Sequence, residues 1–339
     1  MRVLVTGSAG FIGYHTSVFL CNKGYDVIGV DNLNDYYSVK LKKDRLNSLN
    51  KYRNFKFQKI DICNKQILSN LFSEKKINKV IHLAAQAGVR YSIENPDVYI
   101  DSNIVGFFNI IEQSIRHQIE HFVFASSSSV YGANEKIPFD VSDNVDHPLS
   151  LYAATKKSNE LISHSYSHLY GLPVTGLRFF TVYGPWGRPD MSPFIFADAI
   201  MNGNILKIFN FGKHKRDFTY IDDVVSGILG VLDNAPSANL SWSGTDPDPA
   251  SSRAPWRIFN IGNSKPIELM YYVELLENEI GKKANLEFLP MQPGDVYETY
   301  ADVSSLTSAI GYLPKVSIEE GTKRFVSWFK DYIETRNEI

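Results

Sequence analysis

The run Thr6-Gly7-Ser8-Ala9-Gly10-Phe11-Ile12-Gly13 stands between a short apolar stretch, Arg2 to Thr6, and a helical pattern that continues through Leu20. Strand, glycine turn and helix in that order leave few folds open. Glycine permits the tight turn and lets backbone N–H groups approach a pyrophosphate, which then sits at a helix N-terminus where the dipole and unpaired donors favour an anion. Gly7, Ala9, Gly10, Phe11, Ile12 and Gly13 are therefore candidate contacts to a dinucleotide. A glycine motif alone is weak evidence. Its context strengthens it, because Tyr25 to Asp31 reads as a second strand ending in an acid 18 residues after Gly13. A carboxylate at Asp31, with Asn32 beside it, can bind the adenosine ribose hydroxyls and repels a 2′-phosphate, so NAD is favoured over NADP.

The alternation of strand and helix then repeats. Asn34 to Tyr52 is polar and basic, with Lys40, Lys42, Lys43 and Arg45, and reads as a solvated helix face. Phe55 to Ile60 is a third strand, ending at Asp61-Ile62 where a strand end reaches the adenine. Lys79 to Leu83 is a fourth, running into Ala84-Ala85-Gln86-Ala87-Gly88-Val89-Arg90. Small residues after Leu83, at Ala84 and Ala85, let a cofactor lie close to the backbone; Gln86 and Arg90 follow the carboxyl end of a strand, where open α/β sheets bind ligands. For Arg90 a surface salt bridge is an equal alternative. Val98 to His117 has helical spacing, Phe122 to Ala125 is a strand, and Val174 to Phe180 another. This pattern predicts an α/β chain with a Rossmann-type doubly wound parallel sheet. At 339 residues the chain exceeds what one core usually serves, so a smaller C-terminal α/β substrate-binding lobe is expected.

The chemistry is expected at Tyr152-Ala-Ala-Thr-Lys156. If Leu151 to Tyr170 is a helix, residues four apart share a face, so the Tyr152 phenol and the Lys156 ammonium enter one site. A neighbouring cation favours the phenolate and draws a phenol of pKa about 10 toward neutrality, as a tyrosine general base requires. Alone, such a pair is common on helix surfaces. Here it follows Ser126-Ser127-Ser128-Ser129, four hydroxyls at a strand end that can relay hydrogen bonds to a sugar, or else form a polar loop with satisfied backbone.

Beyond Phe180 the character changes. Thr181 to Asp190 is aromatic and rich in Gly and Pro with one cation, Arg188, whose planar fork suits a carboxylate or phosphate. Arg216 is a candidate phosphate contact, and Asp295 can accept a ribose hydroxyl. Ala235 to Pro255 reads as an exposed excursion. Thirty-five basic against 37 acidic side chains, net −2, give no global field for nucleic acid or an anionic membrane. Two cysteines, Cys21 and Cys63, exclude a disulfide framework and suit a reducing compartment. The eight histidines have no metal-site spacing. Gly7, Gly10 and Gly13 interrupt any signal-peptide core and no apolar run reaches membrane-spanning length, so a cytoplasmic enzyme is expected.

The glycine motif, the serine run and Tyr152-x-x-x-Lys156 together resemble the extended short-chain dehydrogenase/reductase superfamily, nucleotide-sugar branch. Asp31 to Tyr37, Ala85 to Ser92, Arg178 to Asp190 and Gln292 to Val296 resemble more narrowly the UDP-glucuronate 4-epimerases, over nearly the whole chain. The resemblance implies NAD as cofactor and a UDP-sugar substrate, UDP-glucuronate or UDP-galacturonate. It implies that C4 is oxidised, the 4-keto sugar rotates while UDP stays anchored, and the opposite face is reduced. It assigns catalysis to Tyr152, Lys156, Ser127 and Ser129, without deciding which serine meets O4, and the uronate contact to Thr181 and Arg188, beside the candidate substrate contacts Gln86, Arg90, Arg216 and Asp295 read from position. Thr181 occupies the position that is Asn in UDP-galactose 4-epimerases. Residues 1–180, with a return near 216–262, form the expected NAD-binding domain, and 181–215 with 263–339 the nucleotide-sugar lobe. A homodimer through the helices near Val98–His117 and Leu151–Tyr170 is also implied. Ser192-Pro193 departs from the pattern. A UDP-glucuronate decarboxylase or another UDP-hexose 4-epimerase would share fold, cofactor and Tyr/Lys pair. A 4,6-dehydratase would carry acids among the serines, and a non-catalytic NAD-binding regulator would lose the pair.

Overall fold

A computed structural model describes residues 1–292 and 296–336. Seven strands, β1 (Arg2–Thr6), β2 (Asp26–Asp31), β3 (Phe55–Lys59), β4 (Lys79–His82), β5 (His121–Ser127), β6 (Val174–Phe179) and, later in the chain, Trp256–Ile261, form one sheet. All its pairings are parallel, in the order β3-β2-β1-β4-β5-β6 and then Trp256–Ile261. The order reverses at β1 and β4, so a crevice opens there at the carboxyl ends of the strands. Alternate side chains feed two cores: Val3 and Val5 of β1 pack with Val123 and Leu177 on one face, while Leu4 packs with Phe122 and Phe124 on the other. Burial on both faces explains why these strands read as continuous apolar runs.

Shorter strands build the second lobe. Lys215–Tyr220 pairs with Thr181–Tyr183, with Pro266–Glu268 and with Glu298–Thr299, and Ile205–Ile208 pairs with Asn285–Phe288. Ser192 and Pro193 open the helix Ser192–Asn202, where a proline in the first turn removes an N–H that has no helical partner anyway.

The sequence expectations for three segments can now be compared with the structure. The helical pattern of Val98 to His117 is borne out with a local variation: Ile100–Gly106 is π-helical and runs directly into the α-helix Phe107–Arg116. The helix Val39–Leu49 within the basic segment is not a solvated face, since Lys42 and Arg45 are buried. Arg45 donates from Nη1 to the carbonyl of Ala9 at 2.9 Å and from Nη2 to those of Trp186 and Gly187 at 2.6 and 3.1 Å. One guanidinium thus ties the glycine turn to the Trp186 loop of the second lobe. Within the Ala235–Pro255 excursion Leu240 is exposed, but Ala250 to Ser252 and Ala254 are buried.

Candidate active site

The crevice is a cavity of about 930 Å³ that runs from the glycine turn to the second lobe. At one end, Gly7 adopts φ +71°, and a Cβ there would stand 2.8 Å from the Ala84 nitrogen. A Cβ on Gly13 would meet the Gly7 carbonyl oxygen at 2.0 Å. The turn therefore packs against β4 and against its own helix in a way only glycine allows. Gly7, Gly10, Phe11, Ile12 and Gly13 line the cavity, and the first N–H groups of the helix Phe11–Asn22 point where helix geometry leaves donors unpaired. Ala9 lies beneath, fully buried, its N–H donating to Asp31 Oδ2 at 3.2 Å. Asp31 and Asn32 line the wall, and burial raises the Asp31 carboxyl above its ordinary value against the opposing pull of the Leu33 N–H and Lys42. Ile62, Leu83, Ala84, Ala85 and Gln86 complete this end. Asp61 does not line it: its carboxylate takes Asn32 Nδ2 at 3.0 Å and the Cys63 N–H at 2.8 Å. A cradle that a Cβ would fill, beside a half-buried acid at the end of β2, fits a dinucleotide with free ribose hydroxyls.

The middle of the cavity holds the hydroxyls. The helix Leu151–Tyr170 is capped by Ser150, whose side chain accepts from the Ala153 N–H at 3.1 Å, so its first turn is fixed beside β5. Tyr152 and Lys156 both enter the cavity with Ser127 and Ser129. Ser127 lies close enough to the Tyr152 phenol to oppose its rise and caps the short turn after β5 by accepting the Ser129 N–H at 3.1 Å. Ser126 turns the other way, donating to Glu160 Oε1 at 2.6 Å, and Arg178 clamps both Glu160 oxygens at 2.9 Å. That buried ion pair braces β5 and β6 against the catalytic helix.

The expected lowering of the Tyr152 phenol is not found in the protein alone. Burial raises it, with Ser127 and Arg188 opposing. Lys156 is itself buried and lowered to about 8 by desolvation, donating to the Ala125 carbonyl at 2.9 Å. At neutral pH it therefore still carries its charge beside the phenol.

At the far end Thr181, Arg188, Arg90 and Arg216 line the wall. Arg90 lies over the Phe209 ring at 5.4 Å, and Arg216 donates to the Lys215 and Tyr297 carbonyls and meets His214 Nδ1 at 3.4 Å. Asp295 lies outside the described residues. Arg188 is not a lone cation: Nε donates to Asp190 Oδ1 at 3.0 Å and Nη2 pairs with Oδ2, which also accepts the Tyr36 hydroxyl at 3.0 Å. Burial acts to raise the Asp190 carboxyl, but Arg188 and Tyr36 outweigh it and hold it below its ordinary value. Sequence reasoning passed over Asp190, Tyr36 and Lys42 as site residues, although Tyr36 and Asp190 fall inside runs it had singled out. Among the described residues no three His, Cys, Asp or Glu side chains gather as a metal site, and no helix is long and apolar enough to cross a membrane.

The model of the NAD dependent epimerase/dehydratase family matches residues 3–241. Protein CapI of Staphylococcus aureus is 56% identical over 332 residues, 98% of this chain and 99% of that protein. UDP-glucuronate 4-epimerase 1 of Arabidopsis thaliana is 47% identical over 338 residues, 98% of this chain and 77% of that one. The crystal structure of UDP-glucuronic acid 4-epimerase from Bacillus cereus in complex with UDP-glucuronic acid and NAD matches with a TM-score of 0.85 at 33% identity, covering 98% of this chain and 100% of that chain.

Proposed function

The chain belongs to the NAD dependent epimerase/dehydratase family, and from that premise we propose that it is an NAD-dependent enzyme interconverting UDP-glucuronate and UDP-galacturonate. The observation that carries the reading is the convergence of Ser127, Tyr152 and Lys156 in a cavity that joins a dinucleotide cradle to Thr181 and Arg188. NAD, held by the glycine turn and Asp31, would supply the acceptor and donor of the C4 hydride. Tyr152 takes the C4 hydroxyl proton and later gives it back, and Ser127 holds the phenol and the sugar oxygen in line. Lys156, anchored on β5, supplies positive charge beside them. Arg216 and the second lobe hold the UDP, so the sugar is held loosely enough to turn. Thr181 and Arg188 keep the carboxylate near the ring plane, which disfavours loss of CO2 from a β-keto acid. Residues 1–180, with a return near 216–262, serve NAD, and 181–215 with 263–339 serve the nucleotide sugar.

The same reading makes the enzyme cytoplasmic, in keeping with its free cysteines, and a homodimer. Ile100, Phe108, Leu161 and Leu169 are 39–67% exposed on the two helical segments that would meet a second copy. The test is to incubate the purified protein with UDP-glucuronate, without added NAD, and resolve products by NMR. UDP-galacturonate is expected, with cofactor carried through purification. A UDP-pentose with released CO2 would move the assignment to a decarboxylase.

A further inference from the structure

We propose that Asp190 is a specificity-setting residue: an in-built carboxylate that occupies one edge of the Arg188 guanidinium, leaves the other for the carboxylate of a sugar-uronate substrate, and weakens the hold on it so that the ring can turn. The inference rests on the uronate reading above. A guanidinium presents five N–H donors in a rigid fork, with one edge at Nε and Nη2 and another between the two Nη atoms. Asp190 takes the first edge with both oxygens. Nη1 forms no hydrogen bond with Asp190, and Arg188 lines the cavity.

The pairing is selective. Among the described residues lining the cavity the only carboxylates are Asp31, at the dinucleotide end, and Asp190, against the cations Lys42, Arg90, Lys156, Arg188, Lys207 and Arg216. The acid is also held in place. Tyr36 donates to Oδ2, and its ring lies 4.7 Å from that of Tyr91. Gly88, at φ +108°, leaves the room, since a Cβ there would stand 2.7 Å from the Tyr36 hydroxyl oxygen. Both side chains of the pair are mostly shielded, 21% and 26% exposed, so their charges act on a neighbouring ligand with little screening.

The energetic consequence follows from what the reaction needs. A bidentate arginine–carboxylate contact is among the strongest polar contacts a site can make. Made equally by substrate and product but broken while the ring turns, it would deepen the bound states and raise the barrier between them. With Asp190 in place, the uronate meets a pair of zero net charge instead of a bare cation. Arg188 still directs the carboxylate through geometry, while its charge is already largely answered.

The test compares the holoenzyme with Asp190→Asn, and with Asp190→Ser should the first fail to fold, titrating UDP-glucuronate, UDP-glucose and UDP by calorimetry and measuring kcat. We expect UDP-glucuronate to bind about five- to tenfold more tightly, as removal of one nearby like charge implies. UDP and UDP-glucose should keep the parent affinity, and kcat on UDP-glucuronate should fall severalfold. Asp190→Glu should restore the parent ratio of uronate to neutral-sugar affinity. Equal or weaker UDP-glucuronate binding in the neutral variants, with UDP affinity unchanged, overturns the proposal and leaves the epimerase reading standing. A parent protein that binds UDP but neither binds nor converts UDP-glucuronate overturns the reading and the proposal together.

Discussion

Lys156 donates its ammonium to the carbonyl oxygen of Ala125, 2.9 Å away, so the cation one turn below Tyr152 is anchored to the strand that carries the serines. Burial costs that cation stability: its value falls from 10.5 to about 8 in the folded protein. Between those values the unfolded chain binds the extra proton, so stability rises with pH across the window from about 8 to 10.5. Below it the full cost is present. Lys156→Met should therefore raise the stability of the cofactor-free protein at pH 7 by about 1–2 kcal/mol, the lost Ala125 hydrogen bond being set against relief of a larger desolvation cost. Denaturant melts should show the gain shrinking as pH climbs from 8 to 10.5. A gain that persists unchanged at pH 10.5 would mean that the lysine charge is not the cause.

Tyr152→Phe removes the only atom of that side chain that can carry a proton, while the ring, edge-on to Tyr99 at 6.1 Å, keeps its packing. Turnover of UDP-glucuronate should fall about 10³-fold, within the range expected for a general base, with UDP affinity unchanged. Ser127→Ala should cost more than Ser129→Ala, because Ser127 acts on the phenol and also accepts the Ser129 N–H. Steady-state kinetics on both variants check the order. A larger loss in Ser129→Ala would hand the contact with O4 to that residue.

The sheet and the glycine cradle were legible because their signals are local. Apolar runs of strand length, glycines where φ or close packing demands them, and a Tyr/Lys pair at helical spacing each lie within a few residues of sequence. Partners distant in the chain were not legible. Nothing in the spacing of Arg45 says that it reaches Ala9, 36 residues away, and Trp186, 141 residues away. A Lys/Arg-rich helix reads as solvated because composition records charge and not the direction of a side chain. Similarly, Arg188 read as the single cation of its segment; the acid two residues on, held by Tyr36 from 154 residues away, needs the fold to appear as its partner.

Arg45 gives a direct test of that hidden contact. It is fully buried, and its donors satisfy carbonyls of the glycine turn and of the Trp186 loop. Arg45→Met keeps most of the stem but orphans those carbonyls, at a cost of about 2–4 kcal/mol. Stability should fall by that amount, and NAD should bind more weakly than in the parent, since the turn loses its brace. Loss of stability with NAD affinity intact would confine Arg45 to a structural role.

Phe108 lies edge-on to Tyr166 at 6.3 Å, an apolar contact that joins Ile100–Arg116 to the helix Leu151–Tyr170. Leu161 and Leu169, 58% and 67% exposed, lie on the second helix. Apolar surface of this kind on a chain of otherwise ordinary polarity is costly in water and is commonly covered by a partner. A second copy suits it, because two helices from each subunit can pack as a four-helix bundle with the same residues meeting across a two-fold axis. Phe108→Glu combined with Leu161→Glu places four charges in that bundle without touching the cavity. Light scattering after gel filtration should give a dimer for the parent and a monomer for the double variant. A parent that runs as a monomer would leave the face without its second copy. A double variant that stays dimeric would place the interface elsewhere. Because both helices carry or adjoin the catalytic residues, the monomer should also melt at lower temperature while its fold, read by circular dichroism, is retained.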